Sequence, residues 1–170
     1  MTQVLSTQTD ALLANARLYQ NRLFRPGAPR KPRTGVAVVT CMDARIDVYA
    51  LLGLSEGDAH IVRNAGGVVT DDVVRSLTIS QRLLKTTDVM IIMHAACGLR
   101  DITDEQFTAE VEADVGLRPT WCAQSFRDST AETRHGVALL RSSPFLRHTA
   151  SVRGFLFDET TGALREIRCR

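Results

Sequence analysis

The sequence predicts an α/β fold: a mostly parallel central β-sheet flanked by helices, with an N-terminal helical arm in front of it. Three observations point there. Short β-branched or aliphatic runs, Val36–Thr40 and Val89–Met93 above all, alternate with stretches of helical periodicity. Val89–Met93 is apolar without a break, the pattern of a strand covered on both faces in a parallel sheet. The residues with chemistry to offer follow Thr40 and Met93 directly, and the carboxyl edge of an open parallel sheet is where ligand sites form.

Taken in order, Leu12, Leu13, Ala16, Tyr19 and Leu23 recur at helical spacing and predict a first helix, capped by Thr9 or Asp10 and ended by the proline-rich segment from Pro26. Val36–Thr40 is a buried strand. Ile46–Leu54 reads as a helix closed by Gly53, and Ser55–Asp58 as a turn. Ala59–Arg63 is a second strand, with the glycine turn Asn64-Ala65-Gly66-Gly67 behind it. A helix capped by Asp71 or Asp72 carries Val73, Leu77 and Leu84, and leads to the strand Val89–Met93. Helices are expected over Asp104–Val115 and Ser125–Arg141. Ser151–Phe157 and Ala163–Ile167, on either side of Glu159-Thr160-Thr161-Gly162, read as a terminal hairpin.

A length of 170 residues suits one domain, 1–170, whose first 34 residues form the helix and the proline-rich arm. The net charge of +2, with no long basic run, gives no electrostatic case for a nucleic-acid partner. The basic stretch Arg25–Arg33 contains three prolines and reads as a solvated linker rather than a phosphate site. Met1–Asp10 has neither the basic nor the apolar part of a leader, and no apolar run approaches the about 18 residues that span a bilayer. No membrane partner and a cytoplasmic location are therefore expected. Thiols stay reduced there, so the four cysteines read as ligands or buried apolar residues rather than disulfides.

Cys97 follows His94 by three residues, a spacing that lets both side chains reach one metal ion from a strand-to-helix turn. Cys41 is distant in sequence but expected at the same sheet edge. Two thiolates and an imidazole suit zinc, and three protein ligands leave the fourth tetrahedral position open, as in catalytic rather than structural sites. The plain alternative is two buried cysteines and a hydrogen-bonded histidine. Asp43 and Arg45 weigh against it, because at two and four residues after Cys41 they can set an ion pair beside the metal. For Asp43 alone, the simpler reading is a cap on the helix near Ile46.

Three motifs in order, Cys41-Met42-Asp43-Ala44-Arg45, Arg63-Asn64-Ala65-Gly66 and His94-Ala95-Ala96-Cys97-Gly98, resemble those of the β-class carbonic anhydrases. Arg118-Pro119-Thr120-Trp121 and Arg153-Gly154-Phe155 extend the resemblance more loosely to a short bacterial subgroup. The resemblance implies one zinc ion per chain on Cys41, His94 and Cys97, and a zinc-bound hydroxide that converts carbon dioxide to bicarbonate. It implies catalytic roles for Asp43, Arg45 and Gly98. Asp43 orients the hydroxide, or closes on the metal when its pair with Arg45 breaks, and Gly98 offers an N–H to a substrate oxygen, a plain turn glycine being the alternative. A homodimer or higher homo-oligomer is also implied. The N-terminal helix would then lie across a second copy, an intrachain core contact being the alternative.

Ala95-Ala96 stands where these enzymes commonly carry hydroxyl or other polar residues. Carbonyl sulfide and carbon disulfide hydrolases resemble the family, use the same ligands and attack similar linear substrates, so sulfur-substrate hydrolysis is the second reading. A catalytically silent zinc-binding protein is the third. Arg63 matches an arginine of a non-catalytic bicarbonate pocket in some relatives, but Val38 replaces its tryptophan partner, so Arg63 is expected in a simple ion pair. His60, His135, His148, Cys122 and Cys169 read as structural, and Trp121 as packing the core or a subunit interface.

Overall fold

The computed structural model describes residues 7–24 and 26–169. Arg25 and the first six residues of the Met1–Asp10 segment lie outside them. Strands β1 (Val36–Cys41), β2 (Ala59–Asn64), β3 (Asp88–His94), β4 (Val152–Phe157) and β5 (Leu164–Ile167) form one sheet in the order β2-β1-β3-β4-β5. The first four are mutually parallel and β5 returns antiparallel to β4, so the expected sheet and terminal hairpin are both present. The chain leaves β1 toward β2 on one side and then crosses to β3 on the other. That reversal makes the carboxyl ends of β1 and β3 the switch point of the sheet, where ligand sites of open α/β folds form.

The core lies on both faces of β1 and β3, where Ala37, Val38, Val39, Ile91, Ile92 and Met93 are buried. Helix α3 (Asp71–Leu84) lays Val73 and Leu77 on the sheet, and α5 (Ser129–Ser142) contributes Val137 and Leu140. Each is amphipathic, so burying its apolar stripe against the aliphatic strands is what holds it. Helix α4 (Asp104–Val115) is almost entirely surface, with Thr108 its buried residue.

Helix starts differ from the sequence expectation because a cap must have a free N–H two or three residues ahead. Thr7, not Thr9 or Asp10, caps α1 (Gln8–Leu18), since Asp10 sits at the third helical position and completes a reciprocal capping box. Thr70, not Asp71 or Asp72, caps α3. Helix α2 is only Val48–Leu52, because Asp47 accepts the Ala50 N–H at 3.1 Å and keeps residues 43–46 outside the helix. Asp128 caps α5, three residues after the expected start at Ser125, whose N–H is taken by Asp104 at 2.7 Å.

Helix α1 buries no residue and continues as a wide turn over Tyr19–Leu23. The alternative of an intrachain core contact for it is thereby excluded among the described residues. Tyr19 reaches Glu56 at 2.9 Å, and Arg33 closes the proline-rich arm by donating to Asp58 at 2.9 Å and to the Glu56 carbonyl at 2.8 Å. No described helix is long and apolar enough to cross a membrane.

Candidate metal centre

The register of the sheet builds the site. Thr40 pairs with Ile92, so Cys41 and His94 end adjacent parallel strands and emerge at the same edge. Cys97 returns to that edge through the Ala95–Ala96 turn. The sulfurs of Cys41 and Cys97 and a ring nitrogen of His94 lie within 4.8 Å of one another, and all three residues are buried. The His94 Nε2 atom is buried and makes no hydrogen bond of good geometry among the described residues. A buried polar atom without a partner costs about 1–3 kcal/mol, so an imidazole nitrogen grouped with two sulfurs in this way fits the role of a cation ligand. Two thiolates and one imidazole are the donor set that zinc favours.

Main-chain donors tune the two sulfurs differently. Burial alone would raise the Cys41 thiol, but His94 and the N–H groups of Asp43 and Gly66 outweigh it and lower its pKa. Cys97 is pushed up to about 11, chiefly by burial and by the nearby Cys41, against the Leu99 N–H. His94 is raised, first by its contact with Cys41 and then by Glu159, with burial opposing. A cation held by Cys97 must therefore displace the proton of its thiol.

Asp43 and Arg45 form the pair expected of them. Arg45 grips both carboxylate oxygens, Nε to Oδ1 at 2.9 Å and Nη2 to Oδ2 at 2.7 Å, and its own N–H also donates to Oδ1 at 2.9 Å. These bonds hold the Asp43 carboxyl well below the usual carboxylate range. Oδ2 stands 3.9 Å from His94 Nε2, beside the three donors. The reading of Asp43 as a helix cap fails, since Asp47 caps α2 instead.

Arg63 corrects another expectation. Its guanidinium donates to main-chain carbonyls, Nε to Cys41 at 2.9 Å and Nη2 to Asp43 at 2.7 Å, rather than to a carboxylate. It clamps the segment that carries the sulfur and the acid. Behind that segment, Gly67 adopts φ +69°, and a Cβ there would fall 2.8 Å from the Cys41 nitrogen and 2.9 Å from the Thr40 carbonyl carbon. Gly98 differs: a Cβ on it would meet nothing within 4 Å, so packing does not demand a glycine. Trp121 is exposed, stacking at a tilt on Phe107, and does not pack the core. His60 bonds Ser80 on α3 at 2.8 Å, and Cys122 and Cys169 are free thiols.

One residue at the site was read only as part of a hairpin turn. Glu159 sits two positions beyond Phe157, the register partner of His94, and its side chain reaches the His94 ring. No motif marks it, since the contact comes from strand pairing across 65 residues.

A family model described as carbonic anhydrase matches residues 36–136, the stretch that holds β1 through the first half of α5. The β-carbonic anhydrase 1 of Mycobacterium tuberculosis is 45% identical over 161 residues, covering 95% of this chain and 98% of that protein. A carbon disulfide hydrolase of an Acidianus species is 30% identical over 188 residues, with 96% and 90% covered. The crystal structure of a carbonic anhydrase from Streptococcus mutans superposes with a TM-score of 0.91 at 37% identity, covering 96% of this chain and 99% of that one. The fold and site define a zinc-type α/β enzyme with its metal centre at the strand ends. The chain belongs to the β-carbonic anhydrase family, to which the carbon disulfide hydrolases are related at lower identity.

Proposed function

We propose that the chain catalyses the reversible hydration of carbon dioxide to bicarbonate, with one zinc ion held by Cys41, His94 and Cys97. The observation that carries this reading is the buried three-donor cluster with the Asp43–Arg45 pair beside it. Zinc, when bound there, supplies a Lewis acid that brings the pKa of water from about 15.7 toward about 7. The protein does the rest. Asp43, kept ionised by Arg45, can only accept hydrogen bonds, so it orients an attacking water oxygen by taking its proton side. Arg45 holds the same carboxylate off the open ligand position, and loss of that grip would free Asp43 to occupy it. Gly98, with open space where a side chain would stand, leaves room for a linear triatomic substrate beside the Cys97 turn and offers its N–H to a substrate oxygen.

The active unit is the chain 1–170 as one domain, acting as at least a homodimer in the cytoplasm, where its ligand thiols stay reduced. The exposed leucines of α1, Leu12 and Leu13 among them, are the surface a second copy would cover. Stopped-flow hydration of carbon dioxide, run beside sulfide release from carbonyl sulfide and carbon disulfide, tests the substrate. Fast hydration with little sulfide is expected. Sulfide release without hydration would replace this reading with the hydrolase one, and neither activity in zinc-loaded protein would leave a silent binding protein.

A further inference from the structure

Glu159, its side chain 8% exposed, stands at the turn between β4 and β5. Its Oε1 lies 3.3 Å from His94 Nδ1 and accepts the Ala96 N–H at 2.6 Å, while Oε2, at 3.2 Å, shares the Ala95 N–H with the Phe157 carbonyl at 3.0 Å. Arg45 Nη2, which holds Asp43 at 2.7 Å, is 3.7 Å from the same Oε1 and also donates to the Ala96 carbonyl at 3.0 Å. One carboxylate thus meets the histidine of the cluster, the turn leading to its second cysteine, and the arginine of the dyad. The Ser129 hydroxyl pins the His94 carbonyl at 2.9 Å, so backbone and ring of His94 are both held.

An ionised carboxylate has only acceptors. Facing Nδ1, it is satisfied by an Nδ1–H and repelled by an Nδ1 lone pair. The other tautomer would also leave an Nε2–H buried with no acceptor of good geometry. We propose that Glu159 is a positioning residue of the metal centre: its carboxylate fixes His94 as the Nδ1–H tautomer, with the Nε2 lone pair aimed between the sulfurs, and fastens the Ala95–Ala96 turn that brings Cys97 to them. The inference rests on the metal reading of Cys41, His94 and Cys97. It also answers the apolar Ala95-Ala96 pair, because what the site uses there is two main-chain N–H groups rather than side chains.

Glu159→Gln separates this role from that of a plain turn cap. An amide oxygen at the Oε1 position can still take the Ala96 N–H and the Nδ1–H, and the Ala95 N–H keeps the Phe157 carbonyl, but the amide is neutral, so the charge that holds the Nδ1–H and makes the ring a stronger donor is lost. Zinc affinity, measured by competition with a chromophoric chelator, should fall about 10- to 100-fold, while the melting temperature of the metal-free protein stays near that of the parent. Nitrogen-15 NMR of histidine-labelled, zinc-loaded parent protein should show the proton on Nδ1 and the metal on Nε2. A proton on Nε2 in the parent overturns the inference whatever the variant does, and so does a folded Glu159→Gln protein that binds zinc within about twofold of the parent. Failure of the parent to take up zinc would instead overturn the metal reading beneath it.

Discussion

Asp43 is separated from the three donors by the bidentate grip of one arginine, and the consequences can be worked out residue by residue. Arg45→Ala should retain zinc but lose most turnover, because nothing then holds Asp43 off the open position. Asp43→Ala should also retain zinc and leave water bound, but without an acceptor to orient it. Loss of one positioned polar group commonly costs about a hundredfold or more in rate, and cobalt-substituted samples should show different fourth ligands in the two variants. Full activity in Arg45→Ala would reduce the pair to a structural one. Cys97→Ser should lower zinc occupancy below one per chain by metal analysis, since a hydroxyl cannot replace a thiolate ligand. The pH behaviour follows from the depressed carboxyl of Asp43. A group whose folded pKa is lowered contributes fully above its unfolded value, about 3.9, and loses that contribution only as pH falls through the lower one. Any inactivation between about pH 8 and about pH 5 therefore leaves Asp43 ionised. If it coincides with a carboxylate replacing water in the cobalt spectrum, the acid has moved rather than titrated; an unchanged fourth ligand across that range rules the movement out.

Strand ends and the turns behind them hold the donors in place, and the tightest of these contacts is the glycine turn after β2. Gly67 packs against the backbone of Thr40 and Cys41 in a left-handed conformation that a side chain rarely adopts. Gly67→Ala meets main-chain atoms that cannot rotate away, so it should destabilise the fold by about 2–4 kcal/mol and weaken zinc binding through Cys41. Urea denaturation of metal-free and zinc-loaded protein measures both effects, and an unchanged midpoint would mean that the β1 end can shift freely. Gly98→Ala at the other strand end is the contrast. A methyl group there meets open space, so stability should hold while substrate turnover falls.

At the scale of the molecule, the exposed apolar face of the N-terminal helix is the feature to explain. Leu12 and Leu23 are 66% and 68% exposed on a segment that buries nothing of its own chain. Isolated helices of this length are marginal in water, and the second copy proposed above would cover this face. Sedimentation at micromolar concentration should show a dimer or larger species, and Leu12→Asp combined with Leu23→Asp should shift it toward 18.7 kDa. A parent protein that sediments only as the monomer would remove the assembly. Stripping zinc with a chelator should also lower the melting temperature, because three donors from two strand ends and a turn then lose their common ligand.

Much of this protein is determined by its sequence alone. The aliphatic runs announce β1 and β3 because a strand buried on both faces can carry nothing else. The donors announce themselves by residue type and local spacing, as Cys41 to Arg45 and His94 to Cys97 show. Helix starts were misplaced by a few residues because neighbouring Thr, Ser and Asp all cap well, and only the N–H geometry ahead of them chooses, as at Thr7, Thr70 and Asp128. Arg63 was read as an ion pair because the segment whose carbonyls it clamps, residues 41–43, is 20 or more residues away in sequence. Glu159 was invisible for the same reason on a longer scale. A carboxylate in a hairpin turn looks like solvent-facing punctuation until the register His94–Phe157 carries it to the ring of the histidine. Contacts made within a few residues are encoded in local pattern. Those made by strand pairing exist only once the sheet has closed, because it is the sheet's register, not the chain's spacing, that decides which side chains share an edge.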